Sequence, residues 1–248
     1  EVTLNLKNKL VLDREKTKGE TIATAEENAI SALDVYVFAS ETENGDYSFM
    51  ERFAYRNTPD AVLPAGASEL QLTPTDADAK ETTGLLKVKK GLFVKLYCIA
   101  NNTTLVDPAH EGQPVDDAAF VPLELSTTDD NKTTVKTPGA PLETTFATWH
   151  THLLTSTVQA DTLATPLAMT GALTTPLDLT DFGSAARVQA GIRLTRLVAR
   201  YDIINEAGSS RFIIETVSMG NGRRGSGFFP IRVYGDLPKA KPDELITY

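Results

Sequence analysis

Residues 192–204 are the segment that most constrains the fold, because they have the pattern of a β-strand that carries three arginines among its apolar residues. At period two, Leu197 and Tyr201 share one face of the strand, whereas Ile192 lies on the other. The phase of the alternation changes near residues 195–196, which predicts a β-bulge. Arginine can lay its aliphatic stem on a neighbouring strand and keep its guanidinium in water, so we expect a half-exposed strand.

The composition excludes several classes of protein. The chain has 248 residues, of which 41% are hydrophobic and 23% charged, and it contains no apolar run of the roughly 18 to 20 residues that a membrane-spanning helix needs. A formal net charge of −9 repels phosphate backbones, so we expect no nucleic-acid partner. The single cysteine, Cys98, lies in an apolar strand pattern and is expected to be a small core residue.

Residues 2–12 predict a long amphipathic first strand, because apolar and polar residues alternate along them. Such a strand supplies backbone pairing and a row of apolar side chains. It can complete a sheet within its own subunit or be exchanged with a neighbour, and the two states can follow one another. The charged residues 13–21 predict an exposed, cleavable loop after it.

Two further strand patterns follow. Residues 33–38 are apolar on both parities, which predicts a central strand covered on both faces. Residues 85–89 and 92–100 flank a turn at Lys90 and Gly91 and predict a β-hairpin. In its second arm the residues expected to face the core are Leu92, Val94, Leu96, Cys98 and Ala100.

Between these strands and the arginine strand, the sequence predicts loops and one helix. Segments 101–118 and 126–141 are rich in Asn, Asp, Thr, Pro and Gly, which favours surface loops. The helix is expected to start near Pro141 and to cap one end of the fold. Its apolar face comprises Leu142, Phe146, Trp149 and Leu153.

Several short motifs occur along the chain in an order that is similar to that of a known family. They are residues 25–30 leading into 33–38, then 91–101, then Met169 to Gly171, then 194–203, and then Phe228 to Pro230. Together, over roughly residues 20–232, they resemble the fimbrillins, the pilin-like lipoproteins of Bacteroidales surface fimbriae. The resemblance rests on the order of the motifs.

The resemblance implies an all-β, transthyretin-like sandwich of two antiparallel sheets, Greek-key-like in its connections, with one or two short helices. It implies a fimbrillin N-terminal domain over residues 1–236, with a first strand at 1–13 and a possible processing loop at 14–22. Residues 237–248 are then a linker or the truncated start of a C-terminal domain.

The resemblance also implies a role for the first strand. Fimbrillins are exported as lipoproteins, and in polymerising members an Arg- or Lys-specific protease trims the N-terminal strand, so that the emptied groove accepts a strand of the next subunit. In this chain the strand residues are Val2, Leu4, Leu6, Leu10 and Leu12, and the cut is expected after Arg14, Lys16 or Lys18. Because the strand is present, we expect an unprocessed form, or an accessory or anchor subunit that is not cut.

Two patterns that bind cofactors or metals elsewhere are weak here. Residues 220–225 match the dinucleotide fingerprint, which works only where a helix begins, and residues 226–230 predict none. His150 and His152 could bind a metal with His110, but on the predicted helix the first two point about 200° apart. We therefore expect no cofactor and no metal.

Catalytic patterns are weak as well. The sequence has no Gly-x-Ser-x-Gly elbow, and Cys98 has no neighbouring base. The carboxylate pairs at residues 116–117 and 129–130 lie in predicted loops and are expected to be solvated. We therefore expect that the protein is not an enzyme.

The expected function is structural: a subunit of a bacterial surface fimbria (pilus) that assembles by β-strand complementation and contributes to cell adhesion. Its partners are then other fimbrial subunits and host or bacterial surface receptors, and its location is the cell surface or outer membrane. A second hypothesis is a surface lipoprotein that binds glycans through loops 101–118 and 126–141, although Phe120, at an edge, is their only aromatic residue. A metal-dependent enzyme is a third.

Overall fold

A computed structural model describes the chain over the ranges 2–7, 26, 29–58, 60–74, 81–102, 104–110, 113–128, 132–152, 166–180, 188–198, 215–216, 218, 222–223, 225–229 and 245–246. The strands are β1 (Val2–Lys7), β2 (Ala32–Ser40), β3 (Ser48–Arg56), β4 (Ala67–Glu69), β5 (Leu72–Pro74), β6 (Glu81–Leu86), β7 (Phe93–Ala100), β8 (Glu124–Thr127), β9 (Thr133–Thr137), β10 (His150–His152), β11 (Met169–Asp178), β12 (Val188–Arg193), β13 (Thr195–Arg196), β14 (Gly222–Arg223), β15 (Gly225–Gly227) and β16 (Leu245–Ile246). The helices are α1 (Glu143–Phe146) and the 3-10 turns η1 (Pro108–His110) and η2 (Asp117–Ala119).

Two sheets form the body of the molecule, which confirms the predicted all-β sandwich. One sheet has six strands in the order β13-β11-β7-β2-β3-β4, and the other has four strands in the order β12-β1-β6-β5. Among the described strands of these sheets the pairing is antiparallel, except that β1 pairs with β12, and β3 with β4, in parallel. Three two-stranded sheets join β10 to β15, β14 to β16 and β8 to β9.

The inter-sheet core fills the space between the two large sheets. From the six-stranded sheet it takes alternate residues of β2 and β7, and from the four-stranded sheet residues of β6 and β12. The alternation predicted for residues 92–100 is confirmed. The fully buried members on these strands, with Leu92 just before β7, are Leu33, Val35, Val37, Leu86, Leu92, Val94, Leu96, Cys98, Ala100 and Ala190.

An outer aromatic cluster covers the opposite face of the six-stranded sheet, so β2 and β7 are buried on both faces, as predicted for residues 33–38. Ring pairs such as Phe38 with Tyr97 and Tyr36 with Phe146 lie 5.6 Å and 4.7 Å apart, in the range where aromatic pairs attract. The buried members of the cluster are Tyr36, Phe38, Tyr47, Phe49, Tyr97, Ile99, Leu105, Phe146, Trp149 and Phe228.

One buried carboxylate, Asp34 on β2, lies beside this cluster and is neutralised by two arginines of β3. Arg52 approaches it at 3.2 Å and Arg56 at 3.1 Å. Arg52 also bonds to Asp117 of η2 at 2.8 Å and stacks over the Tyr36 ring at 5.0 Å. A buried charge persists only where it is paired and hydrogen-bonded, so this network fixes η2 against the sheet.

Two predicted elements differ in the structure. The hairpin expected at residues 85–100 is absent, because β6 pairs with β1 and β5 in one sheet while β7 pairs with β2 and β11 in the other. The connection between them, which includes Gly91 at φ 100°, is an arch from one sheet to the other. The helix expected from Pro141 to Leu153 is limited to one turn, α1, and its predicted second half contains β10.

Both edges of the sandwich are crossed by segments that change sheets. On one side, residues 67–74 pair first with β3, through β4, and then with β6, through β5. On the other side, β12 belongs to the four-stranded sheet and β13 to the six-stranded sheet, with Leu194 between them. The change in the apolar alternation near residues 195–196 thus coincides with the point where the strand passes from one sheet to the other. Residues 199–204 of the arginine strand lie outside the described residues.

Within the described part of the chain, no helix has both the length and the apolar character to span a membrane.

Candidate functional site

The candidate site is the place that β1 occupies, which we call the β1 slot and define by β6 on one side and β12 on the other. Each of the six residues of β1 has a Cα partner on both strands. β1 runs antiparallel to β6 and parallel to β12. It is therefore an interior strand that alone joins β12 to the β6–β5 pair in this sheet.

The register places the predicted strand residues Val2, Leu4 and Leu6 on one face of the sheet. Their Cα partners on β6 are Leu86, Gly84 and Thr82, and on β12 they are Val188, Ala190 and Ile192. Leu86, Ala190 and Ile192 belong to the inter-sheet core. Directly paired residues share a face, so the backbone register puts positions 2, 4 and 6 of β1 in line with these core residues of the two walls.

Both walls of the β1 slot are attached to the opposite sheet independently of β1. β12 passes through Leu194 into β13, which pairs with β11. β6 passes through the arch into β7, and Gly91 and Leu92 bond there to Leu179 at 2.7 Å and 3.1 Å. β1 itself continues through residues 8–31 to β2, in the other sheet. The chain therefore connects β1 to the six-stranded sheet at β2, whereas it connects the walls to that sheet at β13 and β7.

The remaining predicted residues of this site fall outside the described residues. Leu10 and Leu12 were expected to extend the strand, and β1 is described to Lys7. The expected cleavage positions Arg14, Lys16 and Lys18 also lie outside.

Three of the motifs that carried the family resemblance meet at one junction next to the slot. Met169 lies in the inter-sheet core, and the Thr170 hydroxyl donates a hydrogen bond to the carbonyl of Phe228. A Cβ on Gly171 would overlap the carbonyl oxygen of Arg193, so glycine permits β12 to approach β11 closely. The Met-Thr-Gly motif, the arginine strand and the Phe-Phe motif are therefore parts of one packing arrangement.

A second junction is built on Asn101, at the end of β7, with φ 57°. Its Oδ1 accepts hydrogen bonds from the Ser31 and Ala32 amides at 2.8 Å and 3.3 Å. Its Nδ2 donates to the carbonyls of Ala29 and Leu167 at 2.8 Å and 2.9 Å. One side chain thus links the entries to β2 and β11 with the end of β7.

The residues considered as a metal site, a dinucleotide fingerprint and a nucleophile lie within strands of the fold or next to them. His150 and His152 lie on β10, so they do not follow the helical geometry predicted for them, and the His150 backbone bonds to that of Val106 at 3.0 Å and 2.8 Å. Among the described residues, no group of three or more His, Cys, Asp or Glu could hold a metal ion. The strand β15 occupies the position at which the fingerprint would need a helix. Burial raises the pKa of the Cys98 thiol well above its usual range.

The proposed glycan-binding loops are also largely structural. Phe120 stacks on Tyr36 at 5.1 Å and lies 5.5 Å from Trp149, so this ring belongs to the interior. Residues 126–141 include most of the β8–β9 hairpin, which corrects the loop prediction. Asp116 caps η2 through the Ala118 amide and Asp117 pairs with Arg52, so this pair is not simply solvated. Residues 129–130 lie outside the described residues.

An open cleft of about 560 Å³ lies at the edge formed by β3, β4 and β5. Its lining includes Tyr55, Arg56, Glu69 and Gln71. Arg56 is already engaged by the buried carboxylate of Asp34, so this cleft offers no free buried cation among its described lining residues.

Sequence reasoning missed the walls of the β1 slot. The alternation of residues 188–193 was available as a strand signal, because the apolar positions Val188, Ala190 and Ile192 alternate with Gln189 and Arg193. No local pattern reports that these residues pair in parallel with residues 2–7.

Comparison of the chain with protein-family models, with curated proteins and with solved structures gives no match.

Proposed function

We propose that this protein is a structural subunit of a bacterial surface fimbria that assembles by β-strand complementation, with β1 as the exchangeable strand. Cell adhesion is the wider role that this proposal implies, with other fimbrial subunits as partners and the outer surface of the cell as its location. The observation that carries the proposal is the position of β1, in the interior of a sheet between two strands that come from distant parts of the chain.

Two features of the slot support exchange. Its walls are each continuous with the six-stranded sheet, so they remain attached when β1 leaves. A departing β1 exposes a row of backbone donors and acceptors on both walls, and an added strand can satisfy all of them. The slot therefore has the properties of a preformed acceptor for an extended peptide.

The energy scale is adequate for a noncovalent polymer. Three aliphatic residues at about 1.5 to 3 kcal/mol each give roughly 5 to 9 kcal/mol before ordering costs, and the ladder bonds add to this. The Met-Thr-Gly, arginine-strand and Phe-Phe motifs lie next to one another in the structure. This arrangement further supports the family resemblance on which the proposal draws.

The test compares the full chain with a protein that lacks residues 1–14. We expect the truncated protein to unfold at a lower urea concentration and to regain stability when a peptide of residues 1–14 is added. A matched peptide with Leu4→Asp and Leu6→Asp should have no effect. A truncated protein that unfolds like the full chain and binds no peptide contradicts the proposal.

A further inference from the structure

The open cleft beside β3, β4 and β5, which we call the acidic cleft, combines apolar and acidic lining residues. Its volume of about 560 Å³ lies within the roughly 300 to 1,000 Å³ of sites that hold ligands, so it can take a short segment. Leu63, Leu70 and Leu72 form its apolar part and are buried or half-buried. Asp60 and Glu69, which are exposed, place two carboxylates at its rim.

The cation in the lining does not balance these carboxylates. Arg56 donates hydrogen bonds at 3.1 Å to both carboxyl oxygens of the buried Asp34, which neutralises its charge. The cleft therefore presents a negative potential to an incoming group. A lysine side chain suits such a site, because its hydrocarbon stem can pack on the apolar lining while its ammonium group stays at the acidic rim.

The connection between β6 and β7 carries the complementary charge, and we call its residues 87–92 the lysine arch. Lys87, Lys89 and Lys90 are exposed, and they place three lysines within four residues of a chain whose formal net charge is −9. Two nearby carboxylates already have hydrogen-bond donors. That of Glu51 accepts from the Lys89 amide, and that of Asp178 accepts from Thr180.

The acidic cleft and the lysine arch lie at opposite ends of the six-stranded sheet. Arg56, in the cleft lining, pairs with Ala32 at the start of β2. The arch leads into Phe93, which pairs with Ser40 at the end of β2. β2 has nine residues, so it spans about 26 Å at about 3.3 Å per step. An arch lysine therefore cannot reach the cleft of its own molecule.

We infer that the lysine arch of one copy of this chain docks into the acidic cleft of a second copy. The two surfaces are different, so the same contact can repeat from copy to copy and build an open filament. Opposite charges at the two ends favour this orientation and oppose contacts between like ends. The choice of a second copy as the partner rests on the proposed function, to which this contact adds an end-to-end repeat.

The test measures self-association of the full-length protein by sedimentation equilibrium at low ionic strength. The native protein should associate, and added salt should weaken the association, because salt screens exposed charges. Glu69→Lys in the cleft, or Lys87→Glu with Lys90→Glu in the arch, should weaken association by about 10-fold or more. The control is Glu124→Lys, the same change of charge on β8 outside the cleft lining, which should leave association nearly unchanged.

Mixing the two charge-reversed proteins tests the pairing directly. In the mixture the unchanged arch of one protein meets the unchanged cleft of the other, and the two reversed surfaces again have opposite charges. Association should therefore return close to the native strength. Glu69→Gln is a smaller change for the case in which Glu69→Lys does not fold, and it should weaken association by about 3-fold. A mixture that associates as weakly as its components, or a native protein that stays monomeric at low salt, overturns the inference.

Failure of this inference and failure of the proposed function give different results. If charge reversal has no effect while the peptide of residues 1–14 still stabilises the truncated protein, then strand exchange stands and the contact between arch and cleft is refuted. If the peptide has no effect while the mixed variants associate, then strand exchange is refuted and the contact between arch and cleft stands.

Discussion

Asn101 joins three separate parts of the chain through one side chain, in a backbone conformation that favours asparagine or glycine. Asn101→Ala removes hydrogen bonds to Ser31, Ala32, Ala29 and Leu167 and places a Cβ-bearing residue without a polar side chain at φ 57°. We expect it to lower the free energy of unfolding by about 3 kcal/mol, measured by urea denaturation.

Asn101→Gly separates the two contributions. Glycine keeps the positive φ without strain but loses the same hydrogen bonds, so it should cost about 2 kcal/mol, less than alanine. Asn57→Ala, at an exposed residue whose side chain accepts a hydrogen bond from the nearby Tyr55 hydroxyl, should cost little. Equal losses in the alanine and glycine variants would show that the backbone conformation contributes nothing.

Glu51 on β3 predicts a dependence of stability on pH. Its Oε1 is buried and makes no hydrogen bond within the described part of the chain, and burial raises its pKa from 4.5 to about 7, against the opposing effect of Lys89. The folded state therefore binds the proton more tightly than the unfolded state. Its contribution to stability is complete below pH 4.5 and is lost as the pH rises through about 7.

Glu51→Gln should remove this loss. Urea denaturation between pH 4 and pH 8 should show the variant gaining on the native protein as the pH rises, by about 1 to 2 kcal/mol at pH 8 after allowance for partial solvent screening. Glu69→Gln, the same chemical change at an exposed position of β4, is the control variant. A stability difference between Glu51→Gln and the native protein that does not change with pH would mean that the Glu51 carboxyl is ionised without penalty.

For single residues, the sequence predicted burial in the core better than it predicted side-chain hydrogen bonds or pKa shifts. Alternation identified Val94, Leu96 and Cys98 as core residues, because period two is a local property of a strand. The roles of Asn101 and Glu51 depend on residues tens of positions away, so nothing next to them in the sequence indicates them.

The junction of β11 with β12 depends on one glycine, which belongs to the Met-Thr-Gly motif. Gly171→Ala places a Cβ against the backbone of Arg193, which cannot move aside as a side-chain end could. We expect a loss of about 2 kcal/mol or more in the free energy of unfolding, measured by urea denaturation. Gly191→Ala, on β12 but at a position where a Cβ meets nothing within 4 Å, should be close to neutral, and equal effects of the two changes would contradict the close approach.

The elements that the sequence predicted wrongly share a physical cause. Strands on either side of Lys90 and Gly91 have the same pattern in a hairpin and in an arch between sheets, so periodicity cannot separate the two. The spacing of Phe146 and Trp149 fits a helix, and both residues are buried as expected. Burial in the outer aromatic cluster is reached instead by one helical turn followed by β10, where pairing with β15 supplies the backbone bonds.

For the whole molecule, a disulfide between β1 and β6 should prevent strand exchange. Asn5 and Thr83 are Cα partners on the face opposite the inter-sheet core, so Asn5→Cys with Thr83→Cys can form a cross-strand bridge. We expect the oxidised protein to take up no labelled peptide of residues 1–14 and the reduced protein to take it up. The measurement is fluorescence anisotropy before and after reduction.

A matched bridge holds a different pair of strands. Thr73 is the partner of Thr83 on β5, so Thr73→Cys with Thr83→Cys joins β5 to β6 and leaves β1 free. Uptake by this oxidised variant should equal that of the reduced protein. If the β1 bridge permits uptake to the same extent, then β1 is not the strand that exchanges.

The all-β class could be predicted from the sequence, because repeated strand patterns with buried alternation favour a sandwich or a barrel, and the two-sheet form was what the family resemblance implied. The order of strands within each sheet could not. β1 pairs with residues 188–193 across most of the chain, and it does so in parallel, a choice that local patterns do not encode.

The placement of Cys98 has a practical consequence for following motion in this protein. It is the single thiol of the chain, it lies on β7 beneath the four-stranded sheet, and none of its surface meets solvent. Alkylating reagents attack thiols that they can reach in the thiolate form. The rate at which such a reagent modifies Cys98 in the native protein therefore reports how often the two sheets separate. No engineered label is needed for this measurement.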